Sequence, residues 1–229
     1  MPLPASPRPK LRVRRDGTGR ADVTQSGQQP RLGAVTDWTP FYAAQAGREP
    51  RPTLQRALEL RDGAPGFALD LGAGEGSDTR FLLQQGWRVH AIDDADAADD
   101  RIRANVPADR REHVTVEQRA FEDILELPPA DLVYASYALP FCRPAHFPVL
   151  WEAIREAMAP SGWFAGELFG PHDTWAGRTD MNFHDRAAVD QLLEGLDVLD
   201  LIEEDRDGPM VGGTKHWHVF HIIARATDA

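Results

Sequence analysis

The stretch that most constrains this chain runs from Phe67 to Phe81, Phe-Ala-Leu-Asp-Leu-Gly-Ala-Gly-Glu-Gly-Ser-Asp-Thr-Arg-Phe. Its apolar start, closed by Asp70 and Leu71, has the composition of a strand buried on both faces. Gly72, Gly74 and Gly76 follow at alternate positions, and Ser77-Asp78-Thr79 supplies helix-start signals ahead of Phe81, Leu82 and Leu83. Strand, glycine turn and helix form a cradle for a nucleotide. Glycine admits left-handed backbone and lets a ligand lie on the main chain, while the helix start offers free N–H donors. The dinucleotide spacing G-x-G-x-x-G/A is not met, because Ser77 occupies the sixth position. Glu75 lies where a pyrophosphate would approach, so the loop suits a ligand carrying positive charge.

Length and charge narrow the class. The 229 residues are enough for one sizeable α/β domain with a tail. Residues 1–33 carry seven Arg/Lys and two Asp, formally +5, whereas the whole chain is at −11. That segment is rich in Pro, Arg, Gly and Gln, so residues 1–34 are expected to be a disordered basic tail, with residues 35–229 forming the folded domain. The acidic balance argues against nucleic acid as a partner. No apolar run is long enough to span a bilayer, and no signal-peptide pattern is present. The one cysteine, Cys142, fits a reducing compartment, so a cytoplasmic location is expected.

The remaining pattern alternates strands and helices. Trp38, Phe41 and Tyr42 fall at helical spacing, and Pro52-Thr53-Leu54 starts a second helix. Between them, Arg51 is a candidate partner for a ligand carboxylate or a solvated loop arginine. Val89 to Ile92 forms a short strand ending at Asp93, nineteen residues beyond Gly74. That is the distance at which an acid meets ribose hydroxyls, with Asp94 as a competitor. Val114–Val116 is a third strand and Asp131–Tyr137 a fourth. Phe147, Leu150, Trp151, Ile154 and Met158 give an amphipathic helix ended by Pro160-Ser161-Gly162, and Trp163–Phe169 is a fifth strand. A helix over Phe183–Leu193 follows. Val198–Ile202 and His216–Arg225 are expected to be an antiparallel pair joined by a Gly-rich charged loop from about Glu204 to Thr214. Ligands of such sheets sit beyond the carboxyl ends of the strands. Ser136, Tyr137 and Phe141 lie at one such edge, and His172, Asp173 and Trp175 at another. His216 and His218 share one face of the last strand, with His221 on the other.

Asp70-Leu71-Gly72-Ala73-Gly74-Glu75-Gly76 resembles motif I of the class I S-adenosylmethionine-dependent methyltransferases. Asp93, the Phe121–Glu122 turn and the two terminal strands carry the resemblance over roughly residues 38–225. A narrower resemblance, to small bacterial methyltransferases of the tellurite-resistance type, rests on Ala135–Cys142, Leu168-Phe169-Gly170 with Asp173-Thr174-Trp175, and Lys215–His218. The resemblance implies a Rossmann-like, doubly wound α/β fold: seven mostly parallel strands, an antiparallel last strand, and N-terminal lid helices.

It further implies S-adenosylmethionine as cofactor and S-adenosylhomocysteine as product, with no metal. The implied cofactor residues are Asp70, Gly72, Gly74, Gly76, Asp78, Asp93 or Asp94, Phe121, Glu122 and Ser136. At the usual adenine-contact acid this chain has Ala120, which leaves the division of labour between Phe121 and Glu122 open. The implied reaction is in-line methyl transfer to a small molecule through oxygen, nitrogen or a sulfur-like atom. Tyr137, Glu167, Asp173 and His216 are candidate bases. Trp38, Tyr42, Phe141, His172, Trp175 and His218 are candidate acceptor walls. The Asn-Pro-Pro-Tyr string of nucleobase and glutamine N-methyltransferases is missing after the fourth strand. The rival readings are a dinucleotide oxidoreductase, a non-catalytic binding module, and a macromolecular methyltransferase that uses the basic tail.

Overall fold

The computed structural model describes residues 39–227. The expected tail and Trp38 lie outside them. The order of elements is α1 (Thr39–Gln45), α2 (Pro52–Leu60), β1 (Phe67–Leu71), α3 (Ser77–Gln84), β2 (Arg88–Asp93), α4 (Ala98–Asn105), β3 (Val114–Gln118), β4 (Ala130–Ala135), α5 (Phe147–Ala157), β5 (Met158–Phe169), α6 (Arg186–Leu192), β6 (Leu196–Met210) and β7 (Gly213–Ala226). The seven strands form one sheet in the order β3-β2-β1-β4-β5-β7-β6. All neighbours pair in parallel except β7, which runs antiparallel to both β5 and β6. This is the doubly wound architecture that the sequence implies.

Strand alternation sends apolar residues to both faces. Leu69, Leu71 and Val133 pack with Leu150, Trp151 and Ile154 of α5 and Val189 of α6. Ala68, Ala91 and Leu132 pack with Leu54 of α2, Leu82 and Leu83 of α3 and Ile102 of α4. The chain order reverses between β1 and β4, so their carboxyl ends diverge there and open the crevice in which such sheets bind ligands.

Two expectations are corrected. Pro160-Ser161-Gly162 belongs to β5, which begins at Met158. The register jumps from Ala130–Met158 to Leu132–Trp163, and Ser161 takes φ +59°, so an irregularity in the strand absorbs the proline and glycine. The stretch from Glu204 to Thr214 is not a long loop. β6 and β7 stay paired from Leu196–Ala226 out to Met210–Gly213, whereas β5 stops pairing at Phe169–Val219. The outer part of the hairpin therefore projects past the carboxyl edge of the sheet as a two-stranded arm.

Candidate active site

A cavity of about 1270 Å³ follows the carboxyl edge of the sheet from the glycine loop to the inner face of that arm. At one end β1 delivers Asp70, and Gly72 turns back with its N–H donating to Ile92 O at 2.7 Å. Gly72 has φ +71°, and a Cβ there would lie 2.3 Å from that of Ala138. This glycine is fixed by the turn after β4 crossing over it. Phe121 lies beside it, in the short helical turn Phe121–Asp123.

Asp93 closes β2 beneath the loop. Its Oδ2 accepts the Gly74 N–H at 2.8 Å. Its Oδ1 accepts from the Ala95 N–H at 3.1 Å, the Arg101 guanidinium at 3.2 Å and the Tyr42 hydroxyl at 3.3 Å. Burial raises its pKa against these donors. Asp94, also on the cavity, is exposed. Gly76 packs against Ile102 and does not line the cavity.

The first turn of α3 holds a dense charge cluster. Arg48, from the segment between α1 and α2, meets Asp78 through both terminal nitrogens, at 3.0 and 2.6 Å. Its Nε is 2.9 Å from Glu75 Oε1. Asp78 also accepts from the Tyr134 hydroxyl and the Arg51 N–H, each at 3.0 Å. Thr79 donates to Asp70 at 2.5 Å. Burial, and then the charge of Asp78, pushes the Asp70 carboxyl up to about 7. Arg48, which no local sequence pattern singles out, supplies the guanidinium at this cluster in place of Arg51. The Arg51 guanidinium instead lies over the Tyr137 ring, 4.9 Å from its centroid, and bonds to Gln45.

Further along, Ser136 and Tyr137 leave β4. Tyr137 takes φ +52°, a costly conformation for a non-glycine residue and one often found at functional sites. Its N–H donates to Glu167 Oε2 at 3.1 Å. Glu167, fully buried on β5, also accepts from Thr53 Oγ1 at 2.5 Å. His221 Nδ1 lies 3.4 Å from Glu167 and its Nε2 lies 3.2 Å from Glu204. Burial lowers the His221 pKa, but hydrogen bonds to the two carboxylates outweigh it and raise it to about 9. Burial and then Glu167 push the Tyr137 phenol well above its ordinary range, so it stays protonated. Phe141, Trp175 and Trp217 complete the aromatic wall.

Four expected acceptor-side residues lie away from this cavity. Asp173 is buried in an ion pair with Lys215 Nζ at 2.5 Å. His172, His216 and His218 bond to acids on the opposite face of the arm: His172 and His216 to Asp205 at 2.9 and 2.7 Å, and His218 to Glu203 at 3.2 Å. Strand parity explains the split. Trp217 and His221 face the cavity side, and His216 and His218 face away. His172, Asp205 and His218 bring potential metal-ligand atoms within 4.8 Å of one another. The two imidazoles are stacked at 4.6 Å and 19°, so their lone pairs run side by side. His218 Nδ1 already accepts the His172 N–H at 3.1 Å. Cys142 is buried, and burial followed by Glu122 pushes its thiol up to about 12, which suits packing rather than nucleophilic attack. Among the described residues, no helix is long and apolar enough to cross a membrane.

A family model described as a methyltransferase domain matches residues 69–164. Comparison with curated proteins gives no significant sequence match. Among solved structures, TehB from Haemophilus influenzae superposes with TM-score 0.63 at 12% identity over 76% of this chain, which spans 61% of the TehB chain. The Burkholderia thailandensis 1,6-didemethyltoxoflavin-N1-methyltransferase, solved with 1,6-didemethyltoxoflavin and S-adenosylhomocysteine, gives 0.59 at 24% identity over 78% of each chain. The N-methyltransferase NodS from Bradyrhizobium japonicum WM9, in complex with S-adenosylhomocysteine, gives 0.60 at 16% identity over 77% of this chain and 88% of its own. At these identities the structural likeness is one of fold. Residues 69–164 thus carry the match to a methyltransferase domain, and the fold around them is the Rossmann-like fold of S-adenosylmethionine-dependent methyltransferases.

Proposed function

We propose that the cavity binds S-adenosylmethionine along the glycine loop and passes its methyl group to a small-molecule acceptor at the aromatic end. One observation carries this reading. A single cavity joins the Asp93–Gly74 contact to the Glu167–His221 pair at the aromatic wall. The donor set fits the cofactor, because an acid at the end of β2 matches a ribose diol and Arg48 beside Asp70 and Asp78 matches an amino-acid zwitterion. Bound there, the cofactor supplies the electrophilic sulfonium methyl.

The protein's own residues divide the remaining tasks. Asp93 takes the ribose, with Asp94 at the rim. Phe121 offers an apolar face to the adenine, and Glu122 stands at the same end. Arg48 with Asp70 and Asp78 holds the methionine end, and Ser136 lines the passage between the two ligands. Tyr42, on the first of the helices that cover the loop, closes over Asp93. Glu167, with the His221 imidazolium against it, takes the acceptor's proton, and the Tyr137 hydroxyl serves as a donor. Positioning and exclusion of water supply the remainder of the catalysis. Cys142, as a lone buried thiol, is consistent with work in the reducing cytoplasm.

Calorimetric titration with S-adenosylhomocysteine tests the donor half. Binding in the micromolar range is expected, and no heat at millimolar ligand would sink the proposal. Turnover of S-adenosylmethionine with any acceptor would reject a purely binding role.

A further inference from the structure

The aromatic rings that wall the acceptor end are already engaged by the protein's own cations. The Trp175 and Trp217 indoles have centroids 6.2 Å apart, and Tyr137 stands edge-on to Trp217 at 5.8 Å. Lys215 Nζ sits 3.6 Å from the Trp175 centroid and 3.9 Å from that of Trp217. Both indoles line the cavity and Lys215 does not, so the ammonium lies behind them. Asp173 fixes it there at 2.5 Å, and the Lys215 side chain is 1% exposed. Gly208 makes room for the arrangement, since a Cβ there would come within 3.0 Å of the Trp217 ring. The Trp217 Nε1–H donates to Pro209 O at 3.1 Å and locks the ring plane. The third ring, Tyr137, carries Arg51 over its face at 4.9 Å.

A π face attracts cations through its quadrupole. A cation on one face draws that density away and weakens the attraction of the other face for a second cation. Stacking by an uncharged or anionic ring is not weakened in this way. The carboxylates that line the cavity with these rings already face donors or cations: Glu167 is bonded by Thr53, the Tyr137 N–H and His221, Asp180 by Arg178 at 3.0 and 2.6 Å, and Asp200 lies 3.8 Å from Arg56. Glu204 is held by His221 and by Arg206 at 2.9 Å.

We propose that the acceptor subsite takes a flat aromatic molecule, neutral or anionic, stacked on one of the two indoles of Trp175 and Trp217 with the other, inclined at 63° to the first, against its edge, and that Lys215 is the positioning residue that sets this preference against cationic amines. This rests on the methyltransferase reading above, with the aromatic end as the acceptor's place.

The test uses the full chain and a charge series of probes of matched shape: 3-hydroxy-2-naphthoate, 8-hydroxyquinoline, N-methylquinolinium and, as a non-aromatic amine, hexylamine. Tryptophan fluorescence and calorimetry are read with and without S-adenosylhomocysteine. The naphthoate and hydroxyquinoline should bind at least tenfold tighter than N-methylquinolinium, and hexylamine should leave the fluorescence unchanged. Trp175→Leu should abolish most of the quenching. Lys215→Met paired with Asp173→Asn, which avoids a buried unpaired carboxylate, should narrow the anion-to-cation ratio at least fivefold. Equal or tighter binding of N-methylquinolinium to the wild type would overturn the proposal, as would the absence of any aromatic binding. The wild-type series stands if the double variant does not fold. A silent S-adenosylhomocysteine titration would instead count against the donor site, and the probe series reads the aromatic subsite independently of it.

Discussion

Arg48 grips Asp78 through two nitrogens at 3.0 and 2.6 Å, which ties the segment before α2 to the first turn of α3. The guanidinium also reaches Glu75 at 2.9 Å, so one cation balances two buried acids next to a third, Asp70. Removing one partner of a buried pair leaves the other charge uncompensated, at a cost of about 3–5 kcal/mol. Arg48→Met should therefore lower urea stability by about 3 kcal/mol and weaken S-adenosylhomocysteine at least tenfold. Adding Asp78→Asn should restore part of the stability without restoring affinity. Unchanged affinity in Arg48→Met would remove this residue from the cofactor site.

Asp93 and Asp94 separate by geometry. Only Asp93 receives the Gly74 N–H, and it is buried while Asp94 is exposed. Asp93→Ala should weaken S-adenosylhomocysteine by about 1–3 kcal/mol, the scale of a lost charged hydrogen bond. Asp94→Ala should stay within a few-fold of wild type. The reverse order in calorimetry would transfer the ribose role to Asp94.

Glu167 is fully buried beside the aromatic end of the cavity, held by α2, by the turn after β4 and by β7, where the proposed reaction needs a base. Glu167→Gln preserves its volume while removing the charge. A lost acid–base group costs about 10²–10⁴ in rate. The variant should therefore lose kcat on that scale with any acceptor that is turned over, and keep S-adenosylhomocysteine affinity within about twofold. A normal kcat would mean the acceptor needs no base, as a soft thiolate would not.

How much of this was legible follows from where the information lies. Phe67–Ser77 and Asp93 were readable because strand, glycine turn and acid are a local pattern with a fixed spacing. Seven strands could be counted from the alternation of elements, and their arrangement in one sheet came from the resemblance to class I methyltransferases. The outer arm was not readable. Glu204-Asp205-Arg206-Asp207-Gly208-Pro209 has the composition of a loop, and its strand character comes from cross-strand partners such as His216 against Asp207 and Asp205. Without the arm, parity alone set His216 and His218 apart from His221 but could not say which side meets a cavity. Arg48 was hidden for a similar reason, since its reach to Asp78 spans thirty residues and depends on how the lid segment crosses α3.

His221 makes stability depend on pH. Its folded pKa is raised to about 9 because the bonds to Glu167 and Glu204 outweigh burial, whereas an unfolded histidine titrates near 6.5. Below about pH 6.5 both states are protonated and the stabilisation is complete. Between about 6.5 and 9 the unfolded chain has lost the proton that the native one keeps, so stability falls as pH rises. Above 9 the contribution is gone. The side chain is 20% exposed, so solvent screening trims the effect to on the order of 2 kcal/mol. The melting temperature should therefore drop between pH 6.5 and 9 by several degrees more in the wild type than in His221→Gln. The glutamine variant keeps the shape but does not titrate. Parallel melting curves for the two proteins across that window would show that the imidazolium is not held between the two carboxylates.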